Sequence, residues 1–134
     1  MIIHEKFNVL CWSWIIIALL LFPLLLKITQ PYGKHSTKSW GPMINNKMGW
    51  FLMELPSLLI MGYFVIFTSD LLNKLVLVAG LLWGLHYVHR TIIFPLRIKT
   101  KGKKMPLVIM LFAIVFNTVN GFLNGYWLAN FAPK

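Results

Sequence analysis

The sequence has 134 residues, of which 58% are hydrophobic and only 12% are charged. Ordinary soluble domains carry about a quarter charged residues, so this composition excludes that class and favours an integral membrane protein. A net charge of +10 could indicate nucleic-acid binding, but the Lys and Arg residues cluster in two short loops between apolar stretches, as topology signals do. No soluble basic face remains for a nucleic acid once the apolar stretches are assigned to the membrane.

Four apolar stretches follow one another along the chain. The first has the length of about 20 residues that a helix needs to cross a bilayer, and the third is the shortest. We therefore predict an all-α integral membrane protein with four transmembrane helices in a single membrane domain, residues 1–134. The predicted spans are about 7–26, 49–67, 75–88 and 107–131, and the two basic loops are 27–47 and 90–104.

The two basic loops lie on the same side of the membrane if all four stretches cross it. Together they hold ten of the 13 Lys and Arg residues, and three remain for the other side. Loops rich in Lys and Arg stay on the cytoplasmic side. We expect both loops to face the cytoplasm, or the matrix in a mitochondrial inner membrane, with both termini on the opposite side.

Small and amide residues are expected to hold the helices together. The motif "GLLWG" places Gly80 and Gly84 four residues apart in the third span, and "GFLNG" does the same for Gly121 and Gly125 in the fourth. Glycines at this spacing share one helix face and allow close packing between helices. The fourth span also has three asparagines that we expect to form hydrogen bonds between helices, namely Asn117, Asn120 and Asn124.

One acidic residue, Glu54, interrupts the apolar run "WFLMELPSLLI". With a rise of about 1.5 Å per helical residue, Glu54 lies about 8 Å inside the basic side of the second span. Tyr87 lies about 5 Å inside the same side of the third span. A carboxyl and a phenol at similar depth could together polarise a ligand carbonyl oxygen.

Two other interpretations of Glu54 stay open. Ionisable groups within membranes often pair with one another, so Glu54 could form a pair with His86, His89 or Arg90 that ties two helices together. A metal site with His86 and His89 is weakly indicated, because two histidines and a distant carboxylate do not match a defined ligand motif, and we predict no metal. The sequence also has no phosphate-binding loop, dinucleotide fingerprint or nucleophile–base motif.

Four motifs in the sequence resemble a known family in their order and spacing. The resemblance is to the steroid 5α-reductases, or 3-oxo-5α-steroid 4-dehydrogenases, and it extends from about Pro31 to Leu128. The motifs are "PYGKH" (31–35), "WFLMELPS" (50–57), "LHYVHRTIIFPLRIKTKGKKMP" (85–106) and "NGFLNGYWL" (120–128).

The resemblance implies that Glu54 and Tyr87 are a carbonyl-binding pair, which holds the 3-oxo group of a steroid while NADPH delivers hydride to the conjugated double bond. Met53 and Asn124 stand where the family motifs usually have Gln. The substrate or lipid pocket around the pair is expected to include Trp50, Met53, His86, His89 and Asn120.

Family members continue through roughly as many residues again, and those residues bind most of the NADPH. The resemblance therefore implies the N-terminal half of the family fold without that C-terminal half. We expect no cofactor in this chain itself, and NADPH only where a partner supplies the missing half.

Three functions are compatible with these features. The favoured one is a non-catalytic accessory or structural subunit of a larger membrane complex, such as a mitochondrial respiratory complex. The alternative is the substrate-binding half of a split NADPH-dependent 3-oxo-5α-steroid 4-dehydrogenase, and a second alternative is a binder of a sterol-like lipid. The expected partners are the lipid bilayer, a sterol-like lipid and other membrane subunits that cover the third and fourth spans, in the mitochondrial inner membrane or the endoplasmic reticulum.

Overall fold

A computed structural model describes residues 2–29, 35, 38–99 and 101–133. The chain divides into two compact units, residues 1–30 and 31–134. The first unit consists of one helix, α1 (His4–Lys27), whose most apolar 18-residue window has no buried residue. Because so much of this helix remains exposed, it forms no core of its own.

Among the described residues, four helical segments are long and apolar enough to cross a membrane, which confirms the prediction of an all-α membrane protein. In lipid a helix satisfies its backbone hydrogen bonds internally, so such segments can span the bilayer. The segments are His4–Lys27, Asn46–Thr68, Lys74–Arg97 and Leu107–Asn130.

Asparagine side chains cap two helices of the second unit. Helix α2 (Asn46–Tyr63) follows Asn45, whose side chain accepts hydrogen bonds from the backbone N–H groups of Lys47 and Met48 at 2.9 and 3.3 Å. Helix α3 (Lys74–Val88) follows Asn73, which accepts from Leu75 N at 2.9 Å. Such caps satisfy N–H groups that have no partner within the helix, and so they fix where each helix begins.

The third span is longer than the sequence predicts. After α3 the chain continues through a π-helical turn (His89–Ile93) into a short helix, α4 (Phe94–Arg97). The first part of the predicted basic loop 90–104 is therefore helical. Thr91 and Pro95 are buried on this extension. Their burial stabilises a helix in a region where the Lys and Arg residues suggested a loop.

Two short strands join the basic segments and were not predicted. Strand β1 (Met43–Asn45) pairs antiparallel with β2 (Lys104–Pro106), with Ile44 opposite Met105. The strands have three residues each, which is too short for a visible alternation of apolar and polar residues. Residues 31–34 of the motif "PYGKH" lie outside the described part of the chain.

Helix α5 (Leu107–Asn130) packs along α2 and forms the longest helix contact of the second unit. Gly125 allows a close approach, because an added Cβ would lie 2.6 Å from Phe64 Cδ2, whereas one at Gly121 would lie 3.4 Å from Ser57 Cα, an ordinary van der Waals distance. A Cβ at Gly80 would lie 2.7 Å from Val65 Cγ1, and one at Gly84 would meet nothing within 4 Å. Two of the four predicted packing glycines, Gly80 and Gly125, thus lie at close approaches, and Gly84 faces open space.

Candidate functional site

A cavity of about 370 Å³ lies in the second unit, among α2, α5 and the end of α3. Most of its wall is apolar, and its charged and phenolic groups come from two neighbouring helices. Its lining residues are Trp50, Met53, Glu54, His86, Tyr87, Arg90, Met105, Ile109, Ala113, Phe116 and Asn117.

Glu54 is 5% exposed and forms an ion pair with Arg90. The Arg90 Nε donates a hydrogen bond to Glu54 Oε1 at 3.0 Å, and the Arg90 Nη2 donates to the same oxygen. The guanidinium carbon lies 5.0 Å from the ring centroid of Trp50, in cation–π contact. The sequence left three possible partners open, and Arg90 is the one that pairs with Glu54 in the structure.

Tyr87 lies on the same helix as Arg90, one turn earlier, and lines the same cavity. Its ring stacks on Trp83 with centroids 4.8 Å apart and meets the His86 ring edge-on at 5.1 Å. These contacts fix the ring but involve no hydroxyl group. Among the described residues, the Tyr87 hydroxyl has no hydrogen-bond partner, so it can donate to a ligand.

A buried hydrogen-bond network supports the helix that carries Glu54. Pro56 has no N–H, so α2 lacks the normal backbone donor at that position. One turn away, Asn117 Nδ2 donates to the carbonyl oxygen of Met53. Ser57 Oγ donates to Asn117 Oδ1 at 3.0 Å, and Trp83 Nε1 donates to the carbonyl oxygen of Ser57 at 3.1 Å. Helices α3 and α5 thus both hold α2 beside the carboxylate.

The three asparagines that were expected to form hydrogen bonds between helices behave differently from one another. Asn117 forms the hydrogen bonds between helices that the sequence predicts. Asn124 instead donates to Asn120 within α5. Because this hydrogen bond lies within one helix, it does not hold two helices together.

Three of the predicted pocket residues, Trp50, Met53 and His86, line the cavity, whereas His89 and Asn120 do not. His89 begins the π-helical turn and is exposed, and residues two positions apart on a helix do not share a face, so it points away from Tyr87. No group of three potential metal ligands lies together in the part of the chain that the structure describes.

Several curated proteins are similar to this chain. Steroid 5-alpha-reductase DET2 of Arabidopsis thaliana is 37% identical over 114 residues, which cover 81% of this chain and 44% of that protein. The DET2 reductase of Solanum lycopersicum is 31% identical over 132 residues, covering 96% and 51%. The 3-oxo-5-alpha-steroid 4-dehydrogenase 1 of Mus musculus is 33% identical over 121 residues, covering 87% and 46%.

The chain spans about half the length of the curated relatives that it matches. No family model matches it. The relatives named here are enzymes, and nothing among them supports a subunit of a respiratory complex. They favour the enzyme-related hypothesis over the non-catalytic subunit that the sequence analysis preferred.

Proposed function

The chain is a member of the steroid 5α-reductase family over about half the length of its relatives, and from this we propose that it forms the substrate-binding part of a membrane-embedded enone reductase. The proposed substrate is a 4-ene-3-oxosteroid or another isoprenoid lipid with a conjugated ketone. The observation that carries the proposal is the cavity that Glu54 and Tyr87 both line.

The cavity matches such a substrate in size and polarity. Its volume of about 370 Å³ lies in the lower part of the range of about 300–1,000 Å³ for small-molecule sites. Ile109, Ala113 and Phe116 give it an apolar wall for a fused ring system. Glu54, Tyr87 and Arg90 give it a polar end for one oxygen atom, which is the distribution expected for a lipid with a single ketone.

The polar end can polarise the ketone. A hydrogen-bond donor fixed near a carbonyl oxygen stabilises the negative charge that develops there when the conjugated double bond is attacked. Apolar walls and membrane depth exclude water, which strengthens this effect. We assign substrate binding and carbonyl polarisation to this chain.

The described residues do not fit the nicotinamide cofactor. A cavity of about 370 Å³ with mostly apolar walls has no room for a dinucleotide beside a steroid. We therefore derive no step through NADPH, and we propose that residues outside these 134 hold it. In this proposal the nucleotide-binding part and other membrane proteins cover the lipid-facing sides of the third and fourth spans.

The four apolar helices place the protein in a membrane. We propose the endoplasmic reticulum or the mitochondrial inner membrane, with the basic loops facing the cytoplasm or matrix because of their excess of Lys and Arg.

Equilibrium binding tests this proposal. The chain, reconstituted in lipid nanodiscs, is titrated with a radiolabelled 4-ene-3-oxosteroid and with the same steroid lacking the 3-oxygen. We expect tighter binding of the oxosteroid. We also expect Tyr87→Phe to reduce this preference by up to about tenfold, because one neutral hydrogen bond contributes about 0.5–1.5 kcal/mol. Equal binding of the two steroids would contradict the proposal.

A second candidate function is that of a stand-alone binder of a sterol-like lipid. The same cavity favours it, because a lipid can occupy the site without any cofactor. Turnover separates the two functions. Native membranes that contain the protein reduce the oxosteroid with NADPH if it belongs to a reductase, and this activity is lost in Tyr87→Phe. A simple binder gives no reduction.

A further inference from the structure

We propose that Trp83 is a positioning residue for the ketone site, because it holds the phenol of Tyr87 in a fixed place relative to the helix that carries Glu54. This inference rests on the proposed function and deepens it. Trp83 does not line the cavity that binds the substrate in that proposal. It therefore acts through Tyr87 and through the backbone of α2, and not by touching the substrate.

The ring of Tyr87 is held from two directions. Trp83 precedes it by four residues on α3, a spacing that puts two side chains on the same face of a helix. The two rings stack with centroids 4.8 Å and planes 30° apart, and the His86 ring meets Tyr87 edge-on at 5.1 Å. Because the ring makes both contacts, they set the direction of the hydroxyl group and leave its donor to a ligand.

The indole of Trp83 is itself tied to the second span. Its Nε1 donates a hydrogen bond of 3.1 Å to the carbonyl oxygen of Ser57, a residue with no exposed surface. Ser57 follows Glu54 by three residues on α2, which is less than one helical turn. A short chain of contacts thus connects the backbone beside the carboxyl group to the ring of the phenol, and it holds the two helices at one spacing.

Packing alone does not fix the orientation of this indole. Trp83 also lines a second cavity of about 310 Å³, which is bordered by apolar residues and glycines. Gly84 borders the same cavity, and an added Cβ there would meet nothing within 4 Å. Because open space lies beside the indole, its side chain has room for another rotamer. The hydrogen bond to Ser57 therefore decides where the Trp83 ring lies.

A phenol held in this way favours a ligand with an oxygen at one defined place. A donor that is already oriented loses little freedom when the ligand binds. Its benefit to a reaction also depends on exact placement, since an error of about 1 Å can lower a rate by about a hundredfold. Trp83 thus increases the preference of the site for a 3-oxosteroid although it lies outside the cavity.

The test is a double-variant cycle on this preference. In nanodiscs, we measure the affinities for a 4-ene-3-oxosteroid and for the same steroid lacking the 3-oxygen, with Trp83→Leu, Tyr87→Phe and the double variant. We expect Trp83→Leu to lower the ratio of the two affinities by about threefold to tenfold, the range of one neutral hydrogen bond. In the Tyr87→Phe background the same substitution should leave the ratio unchanged, because the hydroxyl group that Trp83 positions is already absent.

Infrared spectroscopy reports the same hydrogen bond directly. With ¹³C at C3 of the bound oxosteroid, Trp83→Leu should raise the frequency of the carbonyl stretch toward its value in Tyr87→Phe. It should not raise the frequency further when Tyr87 is already phenylalanine. A loss of packing alone would weaken the binding of both steroids and leave the frequency unchanged.

Trp83→Phe is a second variant that keeps an aromatic ring but has no N–H donor. It should lower the ratio of affinities by a smaller factor, again only in the presence of the Tyr87 hydroxyl, and it carries the test if Trp83→Leu does not fold. Trp127→Leu is the matched control, because Trp127 is exposed and lines neither cavity. It should change neither the ratio nor the frequency.

Two results would overturn the assignment of Trp83. One is an unchanged ratio in both Trp83 variants, and the other is a loss of the same size with and without the Tyr87 hydroxyl. The proposed function fails in a different way, because the unmodified chain then shows no preference for the 3-oxosteroid. If the preference is present and Tyr87→Phe weakens it, but the Trp83 variants keep it, the cavity binds ketones and only the role of Trp83 is refuted.

Discussion

Asn117 illustrates how one buried amide joins two membrane helices. Its side chain is buried between α2 and α5, where it donates to the carbonyl oxygen of Met53 and accepts from Ser57. Met53 is the neighbour of Glu54 along α2. The amide therefore connects the stability of the helix pair to the position of the carboxylate.

We expect Asn117→Leu to lower the free energy of unfolding by about 1 kcal/mol or more, because the hydrogen bond from the amide to the Met53 carbonyl oxygen is lost and the Ser57 hydroxyl keeps only the backbone oxygen of residue 117. Asn124→Leu on the same helix is the control, since Asn124 is exposed and bonds only within α5. Thermal unfolding in detergent measures both. Equal loss of stability in the two variants would contradict a special role for Asn117.

The sequence predicts the site only in part. Glu54 and Tyr87 line the same cavity, as expected, because a regular helical rise converts residue number into depth. The identity of the Glu54 partner could not be predicted, because the sequence does not show which face of the third span turns toward α2. The π-helical turn that begins at His89 also has no sequence signal.

At the scale of elements, the contact between α5 and the end of the second span depends on one glycine. A Cβ at Gly125 would lie 2.6 Å from Phe64 Cδ2 and 2.9 Å from Phe64 Cβ. Phe64 Cβ is bonded directly to the backbone, so it cannot move away unless the backbone moves as well. Gly84, in contrast, borders a second apolar cavity of about 310 Å³ and has open space around it.

Gly125→Ala is expected to destabilise the protein by about 1–3 kcal/mol, the usual cost of overpacking. Gly84→Ala is the matched substitution and should be neutral or stabilising by up to about 1 kcal/mol, because alanine favours a helix more than glycine does. Chemical unfolding of the reconstituted protein compares them. A larger loss of unfolding free energy for Gly84→Ala than for Gly125→Ala would contradict this assignment.

The elements themselves were predicted unevenly. Hydrophobic length predicts all four spans, because crossing a bilayer requires about 20 apolar residues. The extension of the third span through Arg97 was not predicted, since the sequence shows Arg90 and Glu54 but not that the two lie beside each other. The paired strands β1 and β2 join residues that are about 60 positions apart, and no local pattern records such a contact.

At the scale of the whole molecule, large apolar surfaces of the second unit remain exposed. Leu82 and Leu85 on α3 and Phe112 and Val115 on α5 are all exposed. In a bilayer, lipid or protein can cover them at little cost. Their position on the third and fourth spans agrees with the proposal that the rest of a reductase packs there.

Photo-crosslinking tests this proposal. With p-benzoylphenylalanine in place of Leu85 or Phe112, we expect adducts with another protein segment in native membranes. The same group in place of Leu19, an exposed residue of α1, serves as the lipid-facing control. Lipid adducts alone at all three positions would contradict a protein partner on these faces.

The charge distribution of the protein predicts its orientation in the membrane. Lys47, Arg97 and Lys103 lie at the end of the spans where strands β1 and β2 pair, whereas Leu72 lies in the turn between the second and third spans and is 92% exposed.

Cys11 is a free cysteine, so Cys11→Ser provides a background without thiols. In sealed mitoplasts, an impermeant maleimide should label Leu72→Cys and should reach Lys103→Cys only after the membrane is opened, because Lys-rich loops are retained on the matrix side. In sealed vesicles of the endoplasmic reticulum, whose outer face is cytoplasmic, it should label Lys103→Cys and reach Leu72→Cys only after opening. The reverse pattern would place the substrate carbonyl, and with it Glu54 and Tyr87, on the side away from any cytoplasmic or matrix source of reduced nicotinamide.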